Sequence, residues 1–206
     1  MIRALAVCVL AVAPLLAAEN GALNDAERAY LIEQLEKSKA DFLDSVAGLT
    51  DAQWKFKPAP NVWSVAECSE HIILAEDFLM GASQGMLKSQ AVDRPATSNS
   101  DQDKKLVAMV ADRSHKAKAP EQIVPSGAKF ATPADAAKEF TARREKSLEY
   151  ARTTSDELRV HVTQGPVGTM DAYQLLLLMA VHTSRHSDQI REVKANPDYP
   201  KNSASR

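Results

Sequence analysis

Apolar residues recur three and four positions apart over four long stretches of the chain, the period of helices that bury one face. Leu31, Leu35, Phe42 and Val46 form the first stripe, with Ile32, Lys39 and Ala40 beside it. It opens at Asn24, where "NDAE" (24–27) has the form of a capping box: the Asn24 side chain accepts from the backbone and Glu27 reaches back. Gly48 suits its exit. Cys68, His71, Ala75, Phe78 and Ala82 form a second stripe behind a second capping box, Ser64 with Glu67, and predict a helix to about Lys88. A third helix starts with Thr132 as N-cap and Pro133 at its first helical position, carries Ala136, Phe140, Leu148 and Ala151, and ends near Thr154. The fourth runs from about Asp171 to Ala195 through Leu175, Leu178, His182, His186, Gln189 and Val193, and "NPDYP" stops it.

The segments between these stripes lack the period. In "LTDAQWKFKPAPNVW" (49–63) two prolines exclude a continuous helix, and two tryptophans predict a linker packed on the core. Residues 89–100 read as a polar loop, followed by a short helix around 102–117 with Leu106, Val107, Met109 and Val110 on its apolar side. "KAPEQIVPSGAKFATP" (118–133) is a long crossover punctuated by proline. The only strand-like alternation is "LRVHV" at 158–162. The pattern predicts an all-α protein: a four-helix bundle with a long crossover containing a short extra helix.

Composition agrees, with only seven glycines among 206 residues. A formal net charge of −2 with mixed signs offers nothing to a polyanion. The basic clusters at 113–118 and 143–146 read as solvated faces rather than a nucleic-acid footprint. The N-terminus stands apart. Arg3 precedes an apolar run from Ala4 to Leu16 and then small residues, the form of a secretory signal peptide over 1–18. The run is too short for a membrane span of roughly 20 residues, and the stretch before Cys8 is too short for a lipidation signal. The expectation is an exported protein, periplasmic or secreted, with no membrane attachment once the signal is removed and a single mature domain over 22–200. Cys68 is then its only cysteine, which excludes an internal disulfide.

The chemistry lies in the histidines. His182 and His186 are one turn apart, so they project from one helix face roughly 6 Å apart, and that face carries the apolar seam. His71 lies on the inward seam of the second long helix. Three inward histidines, two at i and i+4, match a divalent transition metal with an open coordination position, although buried histidines bonded to protein partners fit the spacing too. Gln189, one turn beyond His186, is a candidate to orient it or to meet a metal ligand. Glu70 and Arg185 adjoin the histidines and are candidates for indirect support or substrate contact. Cys68 is weighed as a thiolate ligand but reads better as a small core residue; His115 and His161 are remoter candidates. No P-loop, Rossmann glycine pattern or Ser-centred elbow is present.

"VWSVAECSEHI" (62–72) and "HTSRHSDQI" (182–190), in this order on a helical chain, resemble the DinB/YfiT-like family, in particular its larger DinB-like branch; "VKANPDYPK" (193–201) is similar to that family's tail. The resemblance covers roughly residues 24–200. It implies an up-down-down-up four-helix bundle, a metal held at His71, His182 and His186, and homodimers among its members. It also implies thiol-dependent transferases and isomerases as precedents. Zn²⁺ or Ni²⁺ is the expected metal, with Fe²⁺ or Mn²⁺ as alternatives. The expected function is a metal-dependent hydrolase or transferase acting on an unidentified small molecule. A non-catalytic metal or ligand-binding module and a thiol-dependent S-transferase are the alternatives.

Overall fold

Among the described residues, four of the six α-helices begin with a reciprocal capping box, and each box sits where its local sequence supplies both partners. The computed structural model describes residues 21–92, 99–114, 118–165 and 168–201; the expected signal peptide, Cys8 and His115 lie outside the described residues. Helix α1 (Asp25–Val46) is capped by Asn24 with Glu27, α3 (Val65–Met86) by Ser64 with Glu67, and α6 (Ala172–Lys194) by Asp171 with Gln174. Helix α5 (Pro133–Thr153) is capped by Thr132 with proline at its start. These are the four long helices expected from periodicity, each within a few residues of its expected ends.

Three segments depart from expectation. The 49–63 linker contains a short helix, α2 (Asp51–Lys55), started by a capping box of Thr50 and Gln53. The extra helix in the crossover, α4, spans Asn99–Ala111 rather than 102–117. Strand structure falls beyond "LRVHV" and overlaps it only at Val162: β1 (Val162–Gly165) pairs antiparallel with β2 (Gly168–Asp171) in a small hairpin before α6. Two stripe residues are also displaced. Phe78 and Met109 are exposed, while Leu79 and Val110 beside them take the buried positions.

Bonds between the long helices give their directions. Arg28 at the start of α1 donates to the carbonyls of Ala151 and Thr154 at the end of α5, so these two run antiparallel. The Tyr173 hydroxyl donates to Glu27 O near the starts of α6 and α1, and Lys194 donates to Ser45 O near their ends, so these run parallel. Ser83 near the end of α3 donates to Ala172 O at the start of α6, opposing them. The order is up-down-down-up.

The core is two apolar clusters separated by a polar layer. One gathers Leu31, Leu35, Leu79, Leu148, Tyr173 and Leu176; the other gathers Phe42, Ile72, Ile73, Phe140 and Ile190. Between them lies Arg144, fully buried although its basic cluster reads as a solvated face. Its Nε and Nη2 donate to Glu76 (3.0 and 2.5 Å), Nη1 to Leu35 O and Ser38 Oγ, and Nη2 also to Thr183 Oγ1. Each long helix thus contributes to this layer, and the donors are satisfied as a buried charge requires. Among the described residues, no helix is long and apolar enough to cross a membrane.

Candidate metal centre

Helices α3 and α6 face one another antiparallel, which brings His71 of one against His182 and His186 of the other. The ring centroids lie 4.8 Å apart for His71–His182, 4.5 Å for His71–His186 and 4.4 Å for His182–His186. One ligand atom from each ring lies within 4.8 Å of the other two, so the group could hold a metal ion. A tetrahedral site with bonds near 2.1 Å sets its nitrogens about 3.4 Å apart. His71 Nε2 and His182 Nε2 stand 3.1 Å apart, near that spacing.

Two of the rings are held in a defined tautomer from behind. His71 Nδ1 lies 2.7 Å from the Ile123 carbonyl, which can only accept, so Nδ1 carries the hydrogen and Nε2 keeps its lone pair. His186 Nδ1 lies 2.8 Å from Gln189 Oε1, with the same consequence. His182 Nδ1 is buried without a hydrogen-bond partner. Without a metal, His182 can donate its Nε2 hydrogen to the His71 Nε2 lone pair 3.1 Å away; a cation would take that hydrogen's place.

All three rings are biased towards the neutral form. Burial, then the neighbouring His186 and His71, lowers the His182 pKa well below its ordinary value. Burial and His71 push His186 down to about 3, against the Gln189 bond. Burial lowers His71, opposed by the Ile123 carbonyl. A neutral imidazole is the ligating form, so the fold prepares the ligands without a proton to expel. Trp63 lies over the cluster, its ring 4.8 Å from His71 and 6.0 Å from His186.

The other candidates are placed differently. Gln189 sits directly behind His186. Glu70 turns away to the crossover, where it accepts from the backbone N–H groups of Ser126 (3.0 Å), Gly127 (2.9 Å) and Lys129 (3.3 Å) and from the Ser126 hydroxyl. Burial alone would raise its pKa, but these donors hold it below the usual carboxylate range. Gly127 fits this turn because its φ is +76° and a Cβ there would stand 3.0 Å from Glu67 Cγ. Arg185 donates to the carbonyls of Val110 and Asp112 at the end of α4. Cys68 is fully buried in the second apolar cluster, its thiol pushed up to about 12 by burial, and it is not one of the grouped ligands. His161 is buried beside Ser89, and its carbonyl accepts from Ala172 N, apart from the three grouped histidines.

Two contributors to the site were not expected. The Ile123 carbonyl belongs to the backbone and carries no side-chain signal. Arg113, just beyond α4, donates to the Arg185 carbonyl and to Glu192, about one turn past Gln189. Its place next to α6 depends on how the crossover folds back.

A family model described as DinB superfamily matches residues 34–190, a span that includes all three histidines. No curated protein and no solved structure matches the chain.

Proposed function

This chain belongs to the DinB superfamily, and on that premise we propose that His71, His182 and His186 hold a divalent transition metal used for hydrolysis or group transfer on a small molecule. The observation that carries this reading is the convergence of three neutral imidazoles, two with their Nε2 lone pairs set by bonds from behind. An all-nitrogen donor set suits Zn²⁺ or Ni²⁺, with Fe²⁺ and Mn²⁺ as harder alternatives. When bound, the metal supplies Lewis acidity towards an oxygen or sulfur of the substrate or of water.

The chain's own residues prepare that chemistry. The Ile123 carbonyl and Gln189 keep the ligand rings oriented, and Trp63 shields one side of the cluster from solvent. Placing the ligands on two packed helices limits how far they move apart. We further propose that residues 1–18 are a signal peptide and that the mature domain is exported, a reading supported by Arg3 and the uncharged run after it. Export favours hydrolysis over thiol-dependent transfer, because low-molecular-weight thiols are kept reduced inside the cell.

One preparation from the native host tests both parts. Elemental analysis is expected to find about one transition metal per chain, and mass spectrometry an N-terminus near residues 18–20. His182→Ala is expected to lose the metal while its circular dichroism remains helical. Unchanged metal content in the triple alanine variant of His71, His182 and His186 would place any metal elsewhere and end this reading. A metal-loaded protein that turns over no ester, amide, phosphoester or thiol-plus-electrophile substrate, yet binds a ligand tightly, would be a binding module instead.

A further inference from the structure

Glu70 and His71 are neighbours on α3, about 100° apart around its axis, and each grips the crossover at a different place. His71 Nδ1 donates to the Ile123 carbonyl at 2.7 Å, at the end of a single 3₁₀ turn, Glu121–Ile123. Glu70 is 4% exposed, and both its oxygens are engaged. Oε1 accepts from the Ser126 N–H at 3.0 Å and from its hydroxyl at 2.9 Å. Oε2 accepts from the N–H groups of Gly127 at 2.9 Å and Lys129 at 3.3 Å.

Only Val124 and Pro125 separate the two attachments. Val124 is extended, with φ −68° and ψ 123°, as a residue before proline prefers. Pro125 fixes its own φ near about −65°. A link of two restrained residues passes a displacement of the turn at 126–129 on to the Ile123 carbonyl instead of absorbing it. That carbonyl matters because a neutral imidazole has two tautomers. An acceptor at Nδ1 keeps the hydrogen there and leaves the Nε2 lone pair facing His182. Without the Glu70 carboxylate, three backbone N–H groups and a hydroxyl lose their acceptor, and the turn must shift to find others. The Ile123 carbonyl shifts with it.

We propose that Glu70 is a positioning residue for His71. It holds the turn at 126–129, the turn holds the Ile123 carbonyl, and the carbonyl fixes which ring nitrogen faces the cluster. That this tautomer serves a metal rests on the metal-centre reading above; the positioning does not.

Two measurements on the full chain test this. In chelator-treated protein at pH 7.5, two-bond proton–nitrogen NMR correlations read the His71 tautomer. In zinc-titrated protein, competition against a chromophoric chelator reads affinity. The wild type is expected to carry the His71 hydrogen on Nδ1. Glu70→Ala is expected to show both tautomers and to bind zinc about 10- to 100-fold more weakly. Glu70→Gln, which keeps one of the two acceptor oxygens, is expected to fall between. Gly127→Ala leaves Glu70 in place but strains the turn, where φ is +76° and the new Cβ would stand 3.0 Å from Glu67 Cγ. It is expected to shift the tautomer in the same direction. Leu148→Ala, which lowers stability from the other apolar cluster, is expected to change neither measurement. An unshifted tautomer in Glu70→Ala overturns the proposal. A shift of equal size in Leu148→Ala does so too, since lost stability would then suffice. If Glu70→Ala does not fold, Glu70→Gln and Gly127→Ala decide, and a wild-type tautomer in both overturns it. A shifted tautomer in a chain that binds no zinc keeps the positioning role and removes the metal reading; tight zinc binding with an unshifted tautomer does the reverse.

Discussion

His186 shows how little of a candidate metal ligand's behaviour belongs to the side chain itself. Its Nε2 is turned inward because Gln189, three residues on, accepts the Nδ1 hydrogen at 2.8 Å. A neutral imidazole otherwise has two tautomers, and only one of them presents an Nε2 lone pair to the cluster. Gln189→Leu keeps the volume and removes the acceptor, so metal affinity is expected to fall about 10- to 100-fold. Gln189→Glu, which retains an acceptor, is expected to keep most of it. Competition against a chromophoric chelator measures both; equal affinities for wild type and Gln189→Leu would show that the bond does not orient the ring. Cys68 makes the opposite point. It lies on the same stripe as His71, but burial pushes its thiol up to about 12, and an un-ionised thiol is a poor metal ligand. Position on the stripe made both residues visible; only their surroundings separate them.

At the scale of elements, the bundle is stitched by the Arg144–Glu76 pair, which is buried at both ends and shared with Ser38 and Thr183. Glu76→Leu or Arg144→Met alone leaves an unpaired charge in the core and is expected to destabilise by about 3–5 kcal/mol. The double variant Glu76→Leu/Arg144→Met is expected to recover most of that loss, because an apolar pair of similar volume needs no partners. Urea unfolding of the four proteins gives the coupling; additive losses would mean that the two side chains stabilise the bundle independently. Arg144 stands four residues past Phe140, on the buried stripe of α5, yet its charge put it with the 143–146 cluster read as a solvated face. Its Glu76 partner is 68 residues distant in sequence, so nothing local announced the pair. The same limit applies to the shorter elements. Thr50 and Gln53 have the capping form that marks the long helices, but Pro58 and Pro60 pointed to a linker, and a five-residue helix has no period to reveal it. The hairpin strands have four residues each, too short for alternation to stand out. Long helices declare themselves by repetition; short elements are decided by what they pack against.

At the scale of the whole molecule, the cluster depends on more than its two helices. Adjacent residues of α3 hold the crossover: His71 through the Ile123 carbonyl and Glu70 through residues 126–129, while Trp54 donates to the Phe130 carbonyl at 3.2 Å. The histidine trio was legible in the sequence because side chains at helical spacing reveal their own faces. The crossover's grip was not, since it is made largely of backbone groups from a segment without a period. This closed arrangement makes stability depend on pH in a definite direction. In the native chain without metal, His186 titrates at about 3, and His182 and His71 also below their ordinary value of 6.5. The unfolded histidines take up protons as pH falls through about 6.5, while the buried ones do not. The unfolded state then binds more protons, so stability is full above that pH and declines towards the native pKa values. The slope is up to about 1.4 kcal/mol per pH unit for each histidine protonated only in the unfolded chain. Bound metal makes the decline steeper where protons displace it from the ligands. Chelator-treated protein is therefore expected to unfold at lower urea concentration at pH 5.5 than at pH 7.5, with little change between pH 7.5 and 8.5. A variant with all three histidines replaced by phenylalanine or leucine is expected to lose most of the dependence if it folds. A flat profile from pH 7.5 to 5.5 in the metal-free wild type would show that the three rings accept protons as readily inside the bundle as outside it.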